Sequence, residues 1–246
     1  KLKRSLSFKD SPSVPESQIF VELMGGADGP AKFAVEEAIK SSKHVVTANK
    51  ALIAMHGQAL EKQAQDKGVD LMFEAAVAGG VPVVRVLRDS LTGVSVKRVS
   101  GILNGTCNYL TTQMLETGRS YDAVLEEAQK LGYAEADPYL DVSGMDAAHK
   151  AAILASIAFT ADLDFEQVSV KGGDTIELLD LILADRFGLR IKLIAEGILT
   201  DSGVVTRVTP KALPLSHPLA RIDNALNTVR IEGGPLGAIT LPGPGA

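Results

Sequence analysis

An aspartate and a lysine four residues apart, in a stretch that otherwise carries almost no charge, are the residues of this chain best placed to do chemistry. They are Asp146 and Lys150, within Ser143-Gly144-Met145-Asp146-Ala147-Ala148-His149-Lys150. At roughly 100° per residue, Asp146, Lys150, Ile153 and Ile157 share one face of a helix. Ala147, Ala148, Ala151, Ala152, Ala155, Ala158 and Phe159 cover the rest, and a helix that is apolar all round is a buried helix. On a solvated face the pair would be an acid-first i,i+4 ion pair contributing about 0.2–0.5 kcal/mol. A buried ammonium instead requires partners or a polar cavity. Just upstream, Gly132-Tyr133-Ala134-Glu135-Ala136-Asp137-Pro138 and Asp141 add further carboxylates. Carboxylates converging on one lysine suit a small zwitterion, and Ser143 is the expected helix cap.

The elements that must position these residues fall into two groups. An apolar run, Ile19–Met24, closes on Gly25-Gly26 and is followed by a helical pattern over Ala31–Ser42. A strand at His44–Thr47, a helix over Lys50–Lys67 and a strand at Val69–Phe73 come next. This alternation predicts βαβ units around a parallel sheet. The turns Met24-Gly25-Gly26 and Thr47-Ala48-Asn49-Lys50 then lie at strand carboxyl ends, where open α/β sheets bind ligands. The first twenty residues read as loop. After Gly79-Gly80-Val81-Pro82 the pattern changes to a helix, a strand over Val94–Leu103, and helices near Asn104–Thr117, Tyr121–Leu131 and Ser143–Thr160. A helix at Thr175–Phe187 precedes β-rich segments at Ile191–Leu199, Val204–Thr209, Asn227–Glu232 and Gly237–Leu241. The fold class read from this order is α/β: a partial Rossmann-like dinucleotide-binding domain (1–80, with 240–246 returning to it), then an α+β catalytic and dimerisation domain (81–239).

Composition narrows the function. The 246 residues are 46% hydrophobic and 22% charged, with a formal net charge of −5. No basic footprint for nucleic acid results. No segment reaches the ~20 uncharged apolar residues that span a membrane, and Lys1–Phe8 lacks the apolar core of a secretory signal. Cys107 is the only cysteine, so no intrachain disulfide forms and a reducing, cytoplasmic setting is expected. Cys107 reads either as a small packed residue or as a nucleophile; no histidine lies near it in sequence, which weighs against thioester chemistry.

Five segments, taken in order, carry a family resemblance: Val46-Thr47-Ala48-Asn49-Lys50-Ala51-Leu52, Glu74-Ala75-Ala76-Val77-Ala78-Gly79-Gly80-Val81-Pro82, Gly101-Ile102-Leu103-Asn104-Gly105-Thr106-Cys107-Asn108-Tyr109, Gly132–Lys150, and Gly243-Pro244-Gly245-Ala246. Together they resemble homoserine dehydrogenase. The resemblance implies NAD- or NADP-dependent interconversion of L-aspartate 4-semialdehyde and L-homoserine, in the branch leading to threonine, methionine and isoleucine. It implies that Lys150 is the proton donor and Lys50 a second active-site lysine beside the nicotinamide. An ammonium suits the first role, because hydride arriving at an aldehyde carbon leaves an alkoxide to be protonated. Lys50, by contrast, opens a helix whose dipole disfavours a cation there, so something else must justify its place. By the same resemblance Glu135 holds the substrate amino group and Asp146 helps to bind homoserine, consistent with acceptor-only carboxylates facing an ammonium. Asp141 is either part of the substrate shell or a helix cap. Gly132, Gly243 and Gly245 match backbone positions approaching the cofactor. By the same resemblance, main-chain oxygens of Glu74, Val77, Gly79 and Val81 match a monovalent-cation (sodium) site, though on sequence alone the segment reads first as a tight turn between domains. A homodimer paired through the β-rich part is implied as well.

One expected feature is missing from the sequence. A dinucleotide domain should begin with a strand and G-x-G-x-x-G, and neither occurs; Gly25-Gly26-Ala27-Asp28-Gly29-Pro30 is a poor substitute because Asp28 repels a phosphate. The start of the cofactor domain and the helix that would follow Ala246 are therefore expected to be absent from these residues. This leaves a rival reading, a non-catalytic substrate-binding or assembly remnant of the fold.

Overall fold

The computed structural model describes residue 9 and residues 11–245. Lys1–Phe8, Asp10 and Ala246 lie outside the described residues. The chain divides into two compact units, Lys1–Val77 and Ala78–Ala246.

In the first unit, β1 (Ile19–Glu22), β2 (His44–Thr47) and β3 (Leu71–Met72) form a parallel sheet in the order β1-β2-β3, alternating with α1 (Pro30–Lys40) and α2 (Lys50–Lys67). Pro30 stands in the first turn of α1, where its missing N–H costs nothing. From there Ala31, Ala34, Val35, Ala38 and Ile39 recur at helical spacing and are buried. The strand expected over Val69–Phe73 contracts to Leu71–Met72. Gly68 ends α2 in the left-handed conformation and Val69 N–H returns to Ala64 O, so residue 69 closes the helix rather than opening the strand.

The second unit begins with α3 (Val83–Arg85), which runs into a π-helical turn, Val86–Ser90. β4 (Val96–Ile102), α4 (Gly105–Thr117), α5 (Tyr121–Lys130), α6 (Tyr139–Val142) and α7 (Met145–Phe159) follow. After them come β5 (Ser169–Val170), α8 (Leu178–Arg186), β6 (Leu189–Thr200), β7 (Gly203–Pro214), β8 (Leu226–Gly233) and β9 (Gly237–Pro244). The six strands form one mixed sheet, β5-β7-β6-β4-β8-β9, antiparallel except for the β5–β7 pair. Tyr109, Leu110 and Met114 of α4 pack with Val124, Ala128 and Leu181 in an apolar cluster.

Two expectations about helix ends are corrected. The helix expected over Thr175–Phe187 starts at Leu178, because Glu177 and Asp180 form a reciprocal capping box there. Ser143 does not cap α7. Gly144 occupies the cap position at φ 84°, a conformation glycine adopts without strain, and Ser143 Oγ is buried with no partner among the described residues.

α7 lies against the sheet through small residues. A Cβ added at Gly197 of β6 would stand 2.6 Å from Ala155 Cβ and 3.3 Å from Phe159. Gly197→Ala is therefore expected to destabilise the protein by about 1–3 kcal/mol through overpacking, read as a lower urea midpoint with an unchanged slope. An unchanged midpoint would mean that α7 does not rest on β6 this closely.

Candidate active site

β4 ends at Ile102, and the next two residues already belong to the site. Asn104 caps α4: its Oδ1 accepts from Cys107 N at 2.8 Å. With that oxygen committed, its amide nitrogen faces the other way and donates to Asp141 Oδ1 at 2.8 Å and Asp146 Oδ2 at 3.0 Å. Lys150, one turn after Asp146 on α7, donates to Asp146 Oδ2 at 2.8 Å and to Leu103 O at 2.9 Å. Thr106 Oγ1 lies 3.0 Å from Asp141 Oδ2 and 2.8 Å from Tyr133 O, tying α6 and the 132–138 turn to α4.

Asp146 and Lys150 are both buried, with side chains 6% and 10% exposed. The solvated ion-pair reading is thereby excluded. An ammonium carries three N–H donors, and Lys150 gives two of them to Asp146 and Leu103 O. The third has no acceptor among the described residues. Lys192 of β6, also buried, forms a contrast: it donates to Asn108 Oδ1 at 2.9 Å, Ile222 O at 2.6 Å and Asp223 Oδ1 at 3.1 Å, so its donors are used up. Burial pushes the Lys192 ammonium below its usual range, against the opposing pull of Asp223. A saturated lysine holds structure, whereas one with a spare donor can meet a ligand oxygen.

The convergence of carboxylates is narrower than the sequence suggests. Asp141 spends its carboxylate on Asn104 and Thr106 and is not a helix cap. Asp137 is taken up locally, accepting from Tyr139 N at 3.1 Å. Glu135 is exposed, and its carboxylate makes no hydrogen bond or ion pair among the described residues; only its main-chain oxygen is held, by Gln129. Asn104 and Thr106 are the site members that sequence reasoning left without a role, and the Asn-Gly-Thr start of α4 was the available signal. Cys107 is excluded as a nucleophile. Burial, reinforced by Asp141, Asp146 and Asp174, pushes its thiol far above the ordinary range, and Sγ donates to Asp141 O at 3.2 Å.

In the first unit, buried Glu22 at the end of β1 organises the strand carboxyl ends. Its carboxylate accepts from Met24 N at 2.5 Å, Gly25 N at 3.2 Å and Thr47 Oγ1 at 2.6 Å. Thr47 Oγ1 in turn accepts from Asn49 N at 2.9 Å. Asn49 caps α2 through Leu52 N at 3.1 Å and donates to Gly26 O at 2.7 Å. This network supplies the missing reason for Lys50: the chain is pinned on both sides of it, which fixes its place at the first residue of α2.

The glycine positions differ in kind. Gly132, at φ 77°, faces open space; a Cβ there would meet nothing within 4 Å. At Gly243 a Cβ would lie 2.8 Å from Val81 Cγ2, and at Gly245 2.9 Å from Asn227 Nδ2. Of the four expected cation ligands, Glu74 and Val77 end the first unit, and Gly79 and Val81 begin the second. Glu74 O accepts from Val77 N at 3.4 Å, and Val81 O from Val83 N at 2.7 Å.

A family model described as homoserine dehydrogenase matches residues 82–246, and one described as its NAD binding domain matches residues 4–74. The homoserine dehydrogenase of Pseudomonas aeruginosa is 45% identical over 232 residues, covering 94% of this chain and 53% of that protein. The crystal structure of a homoserine dehydrogenase from Thiobacillus denitrificans superposes with a TM-score of 0.95 at 42% identity, over 98% of this chain and 56% of that one. A hyperthermophilic archaeal homoserine dehydrogenase in complex with NADPH gives a TM-score of 0.85 at 27% identity, over 99% and 70% of the two chains. This chain thus spans about half the length of the curated relatives it matches. With family models matched over most of its length and relatives 41–47% identical along nearly all of it, the chain belongs to the homoserine dehydrogenase family.

Proposed function

We propose that the protein interconverts L-aspartate 4-semialdehyde and L-homoserine with a nicotinamide dinucleotide, serving threonine, methionine and isoleucine biosynthesis in the cytoplasm. The observation that carries this reading is the unspent N–H of buried Lys150, whose partner Asp146 is linked to Asp141 through Asn104. Lys150 donates a proton to the oxygen that becomes negative on reduction and takes it back in the reverse direction. Asp146 holds the ammonium and contributes with Asp141 to the field that receives the substrate amino group. Glu135, projecting from the same turn, closes on that group from the solvent side.

The residues of the first unit fit a nicotinamide dinucleotide. The Gly25-Gly26 turn is pinned by buried Glu22, and Gly25 leaves open space where a side chain would stand. The cofactor, when bound, supplies or accepts hydride at the substrate carbon. Residues 1–80, with 240–246 returning, hold it; Lys50, Gly132, Gly243 and Gly245 are the backbone and side-chain contacts assigned to it. Residues 81–239 carry catalysis and dimerisation. The NADPH complex of the archaeal relative supports this cofactor class. A monovalent cation, sodium, is assigned to main-chain oxygens of Glu74, Val77, Gly79 and Val81, since hard cations take oxygen ligands. Val205 and Leu226 remain exposed on the face of the large sheet turned away from α7, and pairing with the same sheet of a second copy would cover them.

The test is homoserine-dependent reduction of NAD and, separately, of NADP by the purified chain, followed by absorbance, with light scattering on the same sample. Turnover from a particle of twice the chain mass is expected. A folded dimer without turnover would favour the substrate-binding remnant, and a monomer would overturn the pairing of sheets.

A further inference from the structure

We infer that Asn104 is a positioning residue of the acid–lysine centre, whose amide divides its two protons between Asp141 and Asp146 and so keeps both carboxylates ionised beside Lys150. This rests on the reading of Lys150 as proton donor. The orientation of the amide is forced. Helix α4 needs an acceptor at its N-terminus, which Asn104 Oδ1 supplies to Cys107 N. The NH2 group is thereby aimed at the carboxylates, one hydrogen for Asp141 Oδ1 and one for Asp146 Oδ2. Asn104 is itself 5% exposed, so water does not replace these bonds.

The consequence for chemistry concerns the proton count. Two carboxylates bridged by one group stand close enough to repel, and like charges held together favour the uptake of a proton. A protonated Asp146 would no longer hold Lys150 as an ammonium in place, and a protonated Asp141 would weaken the field for a cationic ligand. A neutral double donor between them removes that pressure without adding a charge that would compete with Lys150. Thr106 has a single hydroxyl proton to share between Asp141 and Tyr133 O, whereas Asn104 reaches both acids. Its cap also sets where α4 starts, and the adjoining Leu103 supplies the second acceptor of Lys150. One residue therefore holds both acids in register with the lysine.

The cap and the bridge can be separated experimentally. Asn104→Asp keeps a good capping oxygen but loses both donors and adds a third negative charge. Asn104→Ser keeps a cap without charge and is too short to serve both acids. Carboxyl titration of Asp141 and Asp146, followed by carbon NMR on the folded chain, is the direct readout. In Asn104→Asp the cluster's titration is expected to move up by at least about one pH unit, with a smaller rise in Asn104→Ser. The acid limb of kcat should move with it, and kcat should fall roughly a hundredfold in both variants. A variant that folds only below about pH 5 supports the same conclusion, because like charges are then relieved. Titrations unmoved in both variants, with any loss of kcat tracking a lower melting temperature, would reduce Asn104 to a helix cap and overturn the inference. The NMR readout is independent of turnover, so an inactive wild type would overturn the functional reading while leaving this test intact.

Discussion

Lys150→Ala is expected to lower kcat by between about 10² and 10⁴-fold while homoserine still binds. The loss follows from the position of the ammonium. It is fixed by Asp146 Oδ2 and Leu103 O, with a third donor left for the substrate oxygen, and an alanine supplies no proton and admits water in its place. Binding is expected to survive because the carboxylates proposed to receive a cationic amino group remain and are relieved of a competing cation. The substitution also strips buried Asp146 of its counterion, which is expected to destabilise the fold by up to about 3–5 kcal/mol. Asn104 moderates this by continuing to donate to the same oxygen. Turnover should therefore be measured well below the melting temperature, with homoserine affinity followed separately by calorimetry. Loss of kcat with affinity retained supports the acid role. Unchanged turnover would sink it, and equal loss of affinity and turnover would mark Lys150 as a binding residue only.

The second large effect lies away from the site, in the sheet that carries it. Glu196 of β6 has a fully buried side chain surrounded by three cations: Arg98 Nη2 at 2.5 Å, Arg207 Nε at 2.6 Å, and Lys211. These residues sit on β4, β6 and β7, so the carboxylate ties three neighbouring strands together on one face. Glu196→Ala is expected to cost about 3 kcal/mol, near the lower end for a broken buried ion pair, because the half-exposed cations rehydrate in part. For a protein of this size that is a fall of about 2–4 °C in melting temperature for each kcal/mol.

Glu196 also predicts a pH dependence. Burial alone would raise its carboxyl, but the hydrogen bonds from Lys211 and Arg207 and the charge of Arg98 outweigh burial and hold it below the usual carboxylate range. A group whose folded value lies below its unfolded value contributes stability in full above the unfolded value, near 4.3 for glutamate. That contribution is lost as pH falls through the folded value. The melting temperature of the wild type should therefore drop more steeply below about pH 4 than that of Glu196→Gln, whose amide does not titrate. Parallel curves for the two proteins in calorimetry would show that the cluster adds nothing at neutral pH.

Much of the architecture was legible in the chain because local rules sufficed for it. The helix over Lys50–Lys67 and the strand at His44–Thr47 follow from apolar period and from the turn residues that bound them. So does the change after Pro82 from a parallel αβ unit to an α+β unit. Asp146 and Lys150 stood out because charge in an otherwise apolar helix contradicts its surroundings. Where local signals competed, the sequence misled. Ser143 looked like a cap, yet Gly144 took the position; a Cβ there would press on Val170 and Val208 of the sheet, so packing as well as φ selects glycine.

What the sequence by itself determined is the set of elements, their order, the family they resemble and the pair that carries the charge. What only tertiary structure decided is which polar groups satisfy one another. Asn104, Thr106, Asp141 and Asp146 lie up to 42 residues apart and meet because α4 and α7 pack on one sheet and α6 packs against both helices. Glu135 and Asp137, nearer to Lys150 in sequence, stay outside this network. Periodicity records which face of an element is buried. A hydrogen bond depends on distances of a few tenths of an ångström and on the direction of each donor, and those are fixed only when the elements are brought together.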